Sequence, residues 1–341
     1  MADESWFRNK ITWFSFIFSI LVVWVHSANG ELFLGRSPYL GAVTVFQRFL
    51  GNTIAQIAVP GFFMMSGYLF YRNFRWERLE AKWSSRIRSL LVPFLLWNMI
   101  YYMGYVIGSR IPVVTSIMGK GKIPFGWYEA IDAMLHYRYN YVFWYLYQLI
   151  LLTVLAPALY GILKHAFLST AAITALFYFV QRGTVIPGLN LDALLYYSLG
   201  GFGGIYGRNI IEGQWSVGKG LAGAGMWAAA IIFLISPWPT VIAGRVCYRI
   251  LIPAGLWLLI DSRKLPRARK WMQYNFFLYA THFAMVRLIN KSAARILGGY
   301  WLAPVVLFSV MPAVMVAFSS AAGSWMKKRL PRAWMLLNGG R

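Results

Sequence analysis

Acidic side chains are scarce. The chain of 341 residues carries ten Asp and Glu against 33 Lys and Arg, a formal net charge of +23. The long apolar runs hold almost none of those acids; Asp192, at the end of one run, is the exception. A proton- or sodium-coupled pump needs intramembrane carboxylates, so that class is poorly supported. Paired carboxylates for glycoside chemistry are missing as well. Cys247 is the single cysteine, which excludes an internal disulfide. Four His and one Cys supply too few ligands for a zinc cage. There is no G-x-S-x-G elbow to present a serine nucleophile, and no P-loop. Charge of either sign is also low: 13% of residues are charged, against roughly 25% in soluble globular chains. Hydrophobic residues make up 59% and aromatics 18%. Together with repeated long apolar runs, these figures imply an all-α, polytopic membrane helix bundle.

In a soluble protein the basic excess would point to nucleic acid. Here the basic residues cluster between apolar runs, so topology and anionic headgroups account for them and no nucleic-acid partner is expected. The apolar periodicity predicts about ten spans in one domain over residues 1–341. They cover 11–27, 52–71, 87–108, 141–160, 166–180, 191–206, 221–235, 246–260, 272–289 and 300–324. The fifth to seventh are short enough to be tilted or merged. If the N-terminus faces the cytoplasm, 21 of the 33 basic residues fall on the inner side. That excess predicts both termini inside. The first run has no evident A-x-A cleavage site and is expected to remain as a signal anchor.

The first run is also the one with chemistry in it. Residues 11–29 read ITWFSFIFSILVVWVHSAN, with no acid or base except His26. On a helix Ser15, Ser19 and His26 recur at i, i+4 and i+11, one polar stripe. An ionisable group inside a span is a functional-site hypothesis by default. The competing reading is a histidine hydrogen-bonded between packed helices or seated in the headgroup layer. His282, in the ninth run, is a second intramembrane imidazole, followed by Arg287 and Asn290 towards the outer end. A neutral imidazole is the usual general base near physiological pH. The structural reading of His282 has Tyr279 and Thr281 as local hydrogen-bond partners. Between the second and third runs, Arg75, Arg78, Lys82 and Arg86 share a helical face beside an apolar face of Trp76, Leu79, Trp83 and Ile87. This is a basic amphipathic helix in the interface, binding anionic lipid or docking a polyanionic cytosolic ligand. Two hydrophilic loops are expected outside, 30–51 and 109–140. The second, with Lys120, Lys122, Glu129, Asp132, His136 and Arg138 among many aromatics, is a candidate acceptor surface.

Five segments then resemble, in order, the acyltransferase 3 family of bacterial integral membrane acyltransferases. LVVWVHSAN is similar to its first span, VPGFFMMSGYLFY to its second, and RIRSLLVPFLLW to the basic start of its third. FWYLYQLILLTVLAP and NFFLYATH are similar to a Trp-aromatic-Leu span and a late Tyr-x-x-His motif. The resemblance implies acyl transfer, usually O-acetylation of surface glycans, at the bacterial inner membrane. Acetyl-CoA or another acyl-CoA would be the donor, with no permanently bound cofactor. It maps the family's essential first-span histidine onto His26, and its donor-holding basic residues onto Arg86 and Arg88. The family often has a basic residue eleven positions before the histidine, where this chain has Ser15. It also continues its paired arginines with a basic residue at the position of Ser89. The donor-side contact would then be lost, or come from Lys82 or Lys10.

The scheme expected is therefore acyl-CoA held from the cytosol by Arg86, Arg88, Lys82 and Arg78. The thioester reaches the stripe of Ser15, Ser19 and His26, with Ser66 of the second span beside the substrate. His26 acts as general base or acyl relay, with His282 in support. An envelope saccharide hydroxyl is the acceptor. Without an extra hydrolase-like domain the chain is expected to act alone, as a homo-oligomer, or with a separate envelope-biosynthesis partner. The rival readings are a transporter or flippase for a lipid-linked glycan or small amphiphile, and a non-catalytic scaffold.

Overall fold

The computed structural model describes residues 4–236 and 240–340. The remaining positions of the single domain expected over 1–341 lie outside the described residues. Those described form helices α1 (Glu4–His26), α2 (Gly30–Leu34), α3 (Leu40–Arg48), α4 (Ala58–Tyr71), α5 (Leu79–Arg86), α6 (Val92–Gly108), α7 (Pro112–Met118), α8 (Trp127–His136) and α9 (Trp144–Leu163). They continue with α10 (Ala166–Gln181), α11 (Leu191–Tyr206), α12 (Arg208–Glu212), α13 (Val217–Ile235), α14 (Val241–Leu259), α15 (Asn275–Leu297), α16 (Leu302–Arg329) and α17 (Pro331–Asn338). No strand is present among the described residues, and the all-α expectation holds. Each of the ten expected apolar runs lies on helix. Among the described residues seven helical segments are long and apolar enough to cross a membrane: Glu4–Leu34, Leu40–Tyr71, Trp76–Gly108, Tyr141–Leu163, Val217–Ile235, Val241–Leu259 and Leu302–Arg329. The apolar α10 is shorter.

Local chemistry sets several of the helix ends. Asn190, Ser216 and Thr240 are N-caps whose side chains accept from the amides of Ala193 (2.9 Å), Lys219 (3.3 Å) and Ala243 (3.0 Å). Prolines stand in the first turns of α6, α7 and α17, where no amide donor is needed. The two expected hydrophilic loops are largely helical. Residues 30–51 hold α2 and α3, and residues 109–140 hold α7 and α8. In α8, Ala130 and Ala133 are buried at i and i+3 and pack with Tyr102 and Val106, so this amphipathic helix joins the core.

The helices pack into two compact units. One comprises residues through Phe18, Gln56–Trp83 and Gln148–Met272. Within it α4 and α11 lie backbone to backbone. A Cβ at Gly67 would stand 2.1 Å from the Tyr197 carbonyl oxygen, and one at Gly200 would stand 1.9 Å from that of Met64. Only glycine permits this approach, the small-residue packing typical of membrane helices. A charged knot closes the same unit. Arg72 donates to Glu212 (Nη2–Oε2 2.8 Å) and Glu4 (Nη1–Oε1 3.1 Å), the Tyr68 hydroxyl donates to Glu212, and Arg208 reaches Glu212 at 3.3 Å. Phe7 packs its ring face on the Arg72 guanidinium at 4.4 Å.

The other unit comprises Ser19–Ala55, Ser84–Tyr147 and the chain from Gln273 onward. Its core is apolar and layered. Val23 of α1, Leu278 and Val286 of α15, and Met311 and Met315 of α16 form one cluster. Phe33 and Leu34 of α2 with Val43 of α3 form another. The Trp97 indole donates to the Leu337 carbonyl at 2.9 Å, tying α6 to α17.

Candidate active site

The second unit holds both His26 and His282, and it brings them together. His26 is the last residue of α1 and is half-buried. His282 lies in α15 and is fully buried. The two imidazole centroids are 5.3 Å apart with their planes tilted by 43°. Phe283 (5.6 Å) and Tyr141 (6.0 Å) stand edge-on to His26 and complete an aromatic wall. No hydrogen bond holds the His26 ring nitrogens among the described residues.

The local hydrogen bonds assign the proton on His282. Its Nδ1 lies 2.7 Å from the Tyr279 backbone carbonyl. A carbonyl only accepts, so Nδ1 carries the hydrogen, and in the neutral ring Nε2 keeps its lone pair. Nε2 is buried and has no hydrogen-bond partner among the described residues. The side chains expected as structural partners are engaged elsewhere. The Tyr279 hydroxyl donates to the Val142 carbonyl at 2.8 Å, and the Thr281 hydroxyl to the Phe277 carbonyl at 2.8 Å. His282 is thus an oriented neutral imidazole with one basic nitrogen uncommitted, the form a proton acceptor requires.

Immediately beyond His26 the same unit turns polar. Gln47 Oε1 accepts from the backbone amides of Asn29 and Gly30, both at 3.1 Å. Gln47 Nε2 donates to Asn29 Oδ1 at 2.7 Å. Asn29 Nδ2 donates to Asn290 Oδ1 at 3.0 Å, and Asn290 Nδ2 donates to the Ser27 carbonyl at 3.2 Å. All three amides are buried. This network fixes the chain that leaves α1 and ties it to α15, so it sets the distance between the two imidazoles. It opens on a cavity of about 550 Å³ lined by Glu31, Thr44, Arg48 and Asn52. Sequence reading missed Gln47. Its signal was a place four residues after Val43, on the buried face of α3. Asn140 was missed too. It precedes Tyr141, is 1% exposed, and both polar atoms of its side chain lack partners among the described residues.

The other expected site residues are spread over both units. Ser15 and Ser19 lie on α1 as the stripe requires, with Ser19 buried. Ser66 is on α4 in the first unit. Arg78 ends a short 3₁₀ turn over Trp76–Arg78, Lys82 and Arg86 lie on α5, and Arg88 lies on the π-helical turn Ile87–Leu91 that leads into α6. Lys82 and Arg86 are therefore one helical turn apart. Arg88 Nη2 donates to the Ser84 hydroxyl at 3.0 Å. Arg78 and Arg86 form no ion pair among the described residues. Lys82 donates to the Phe70 carbonyl and sits over the Phe70 ring at 4.8 Å. Lys10 is committed too. Its ammonium donates to the Trp257 and Ile260 carbonyls at 2.6 and 2.7 Å, capping the C-terminus of α14. On α8, Asp132 accepts from Arg138 (3.0 Å) and His136 (2.9 Å), and these two groups hold its carboxyl below the ordinary range.

The sequence profile of the acyltransferase domain family matches residues 8–322, nearly the whole chain. No curated protein and no solved structure matches.

Proposed function

The chain belongs to the acyltransferase family, and we propose that it moves an acyl group, most simply acetyl, from acyl-CoA to a hydroxyl of an envelope glycan at the bacterial inner membrane. The observation that carries this reading is the imidazole pair: His26 and His282 at 5.3 Å, with the basic nitrogen of His282 oriented and unpartnered.

His26 takes the proton from the acceptor hydroxyl. The freed oxygen lone pair attacks the thioester carbonyl, the carbon–sulfur bond breaks, and the CoA thiolate leaves with a proton returned from the imidazole. His282 lies beside this transfer as a second neutral proton acceptor. The buried Asn29–Gln47–Asn290 network holds the two helix ends in register. Water is kept from the pair on one side by Tyr141 and Phe283. On the donor side, Arg86 and Arg88 take the CoA phosphates, since guanidinium forks match phosphate oxygens. Arg78 and Lys82 extend that basic face. The hydrogen bonds that commit Lys10 and Lys82, and the one from Arg88 to Ser84, favour Arg86 as the principal donor contact. The polar cavity beyond His26, rich in amide and hydroxyl groups, suits a hydroxyl-bearing acceptor.

The test follows release of the CoA thiol from acyl-CoA by the purified chain in the presence of acceptor extract. Wild-type release is expected, with His26→Gln slowing it by about 10²–10⁴-fold, and His282→Asn, which keeps a donor for the Tyr279 carbonyl, slowing it less. Arg86→Ala with Arg88→Ala is expected to raise the apparent donor KM while the rate at saturation is retained. Substrate movement that depends on a gradient and releases no CoA thiol would replace this reading with the transporter.

A further inference from the structure

A second site lies on α15 within a turn of His282. Thr281, Ala284, Met285 and Leu288 form one wall of a cavity of about 390 Å³, with Trp97 and Tyr101 of α6 also lining it. That volume is in the range of about 300–1,000 Å³ typical of small-ligand sites. The lining is almost wholly apolar, but it also includes Arg287 and Lys291. Lys291 is within electrostatic reach of Arg287, Arg295 and Lys120. Arg287, Lys291 and Arg295 stand at i, i+4 and i+8 on one face of α15. Like charges at that spacing destabilise a helix. Among the described residues neither Arg287 nor Lys120 forms an ion pair. Arg287 instead sits over the Phe283 ring at 5.4 Å, and Lys120 over Tyr105 at 5.1 Å. All four belong to the twelve basic residues left off the inner side by the charge count, so topology does not account for them.

An apolar slot beside four clustered cations has the complement of an anionic amphiphile. We propose that this face binds one phosphate-headed lipid, with the phosphate held first by Arg287 and Lys120, beside Lys291 and Arg295, which also donate to the Ile117 carbonyl (2.7 Å) and the Ser116 hydroxyl (2.9 Å), and one hydrocarbon chain in the cavity. The site opens to the side, since Leu288 and Ile100 of its lining are exposed, so a lipid enters laterally from the bilayer. In the acyl-transfer reading this lipid is the carrier that brings the acceptor hydroxyl to the turn of His282. That clause rests on the proposed function, whereas the binding itself does not.

The test is native mass spectrometry of the full chain in detergent with phosphatidylglycerol and phosphatidylcholine of identical chains. No acyl transfer enters the assay, so its failure leaves the acyl-transfer reading standing, and the reverse also holds. One retained phosphatidylglycerol is expected, favoured over phosphatidylcholine by about tenfold or more. Arg287→Gln with Lys120→Gln should erase that preference. Gly104→Phe should expel both lipids, because Gly104 lines the slot and nothing lies within 4 Å of an added Cβ there, so the backbone accepts the new side chain. Glycerol phosphate, the headgroup without chains, should displace nothing. Equal retention of the two lipids would overturn the proposal. So would displacement by glycerol phosphate, or wild-type retention in variants that melt like the wild type.

Discussion

Replacing Gly67 by Ala tests the packing of α4 on α11 with a magnitude read from the structure. The added methyl would lie 2.1 Å from the Tyr197 carbonyl oxygen. A carbon and a carbonyl oxygen approach no closer than about 3.3 Å, so the helices must part locally by more than 1 Å. Overpacking against side chains costs about 1–3 kcal/mol. Here the obstacle is backbone, which has no rotamer to escape into, so the cost belongs at about 3 kcal/mol. Alanine returns about 1 kcal/mol of helix propensity, leaving a net loss of about 2 kcal/mol. In a unit of this size that lowers the melting temperature by about 4–8 °C. Gly200→Ala, whose methyl would lie 1.9 Å from the Met64 carbonyl oxygen, should cost as much. The double variant should cost less than the two together, because one separation relieves both clashes. Gly104→Ala is the control. Nothing lies within 4 Å of its new methyl, so it should be neutral or gain up to about 1 kcal/mol. The assay is thermal unfolding in detergent, followed by loss of the monodisperse species. A Gly67→Ala chain that melts with the wild type would refute the backbone contact.

Three further outcomes follow from the charged knot and the amide network. Arg72→Gln strands the Glu212 carboxylate, whose side chain is 9% exposed. With Arg208 and Tyr68 still in place, the loss should be about 2 kcal/mol in the same assay, below the 3–5 of a fully abandoned buried charge. Burial raises the Glu212 pKa, but hydrogen bonds from Arg72 and Tyr68 and the nearby guanidinium charges outweigh it, leaving the group below its usual 4.5. A depressed folded pKa stabilises fully above the unfolded value and is lost as pH falls through the folded one. Acid melting should therefore steepen below about pH 4.5, and Glu212→Gln should flatten that limb. Gln47→Ala leaves two backbone amides and the Asn29 carboxamide oxygen without their partner, at about 1–3 kcal/mol. It should lower both melting temperature and transferase rate, whereas the exposed neighbour Arg48→Ala should leave melting unchanged.

The class of fold was legible because helices that meet lipid announce themselves by hydropathy alone. Every expected apolar run lies on helix, including the short 166–180 and 191–206. The segments taken as loops were harder. In WYEAIDAMLH the apolar stripe is narrow and flanked by charge, so its burial against α6 depends on a tertiary partner. The stripe of Ser15, Ser19 and His26 was read directly from spacing. The meeting of His26 with His282 was not, because a contact between helices so distant in sequence has no local signature. The hydrogen bond that orients His282 was hidden for another reason. Side-chain hydroxyls at Tyr279 and Thr281 are visible in the sequence, but the group that binds Nδ1 is a backbone carbonyl. Lys10 shows the same limit. A basic residue near the start of a span was open to a donor role until α14 placed two carbonyls against its ammonium.

Acyl transfer at His26 is open to direct measurement. Membranes containing the chain are incubated with acetyl-CoA labelled in the acetyl group, and label is counted in base-labile envelope material for wild type and His26→Gln. Label is expected with the wild type, and a loss of about 10²-fold or more in a variant present in the membrane at equal level. Equal labelling by the two chains would contradict it and remove His26 from the chemistry.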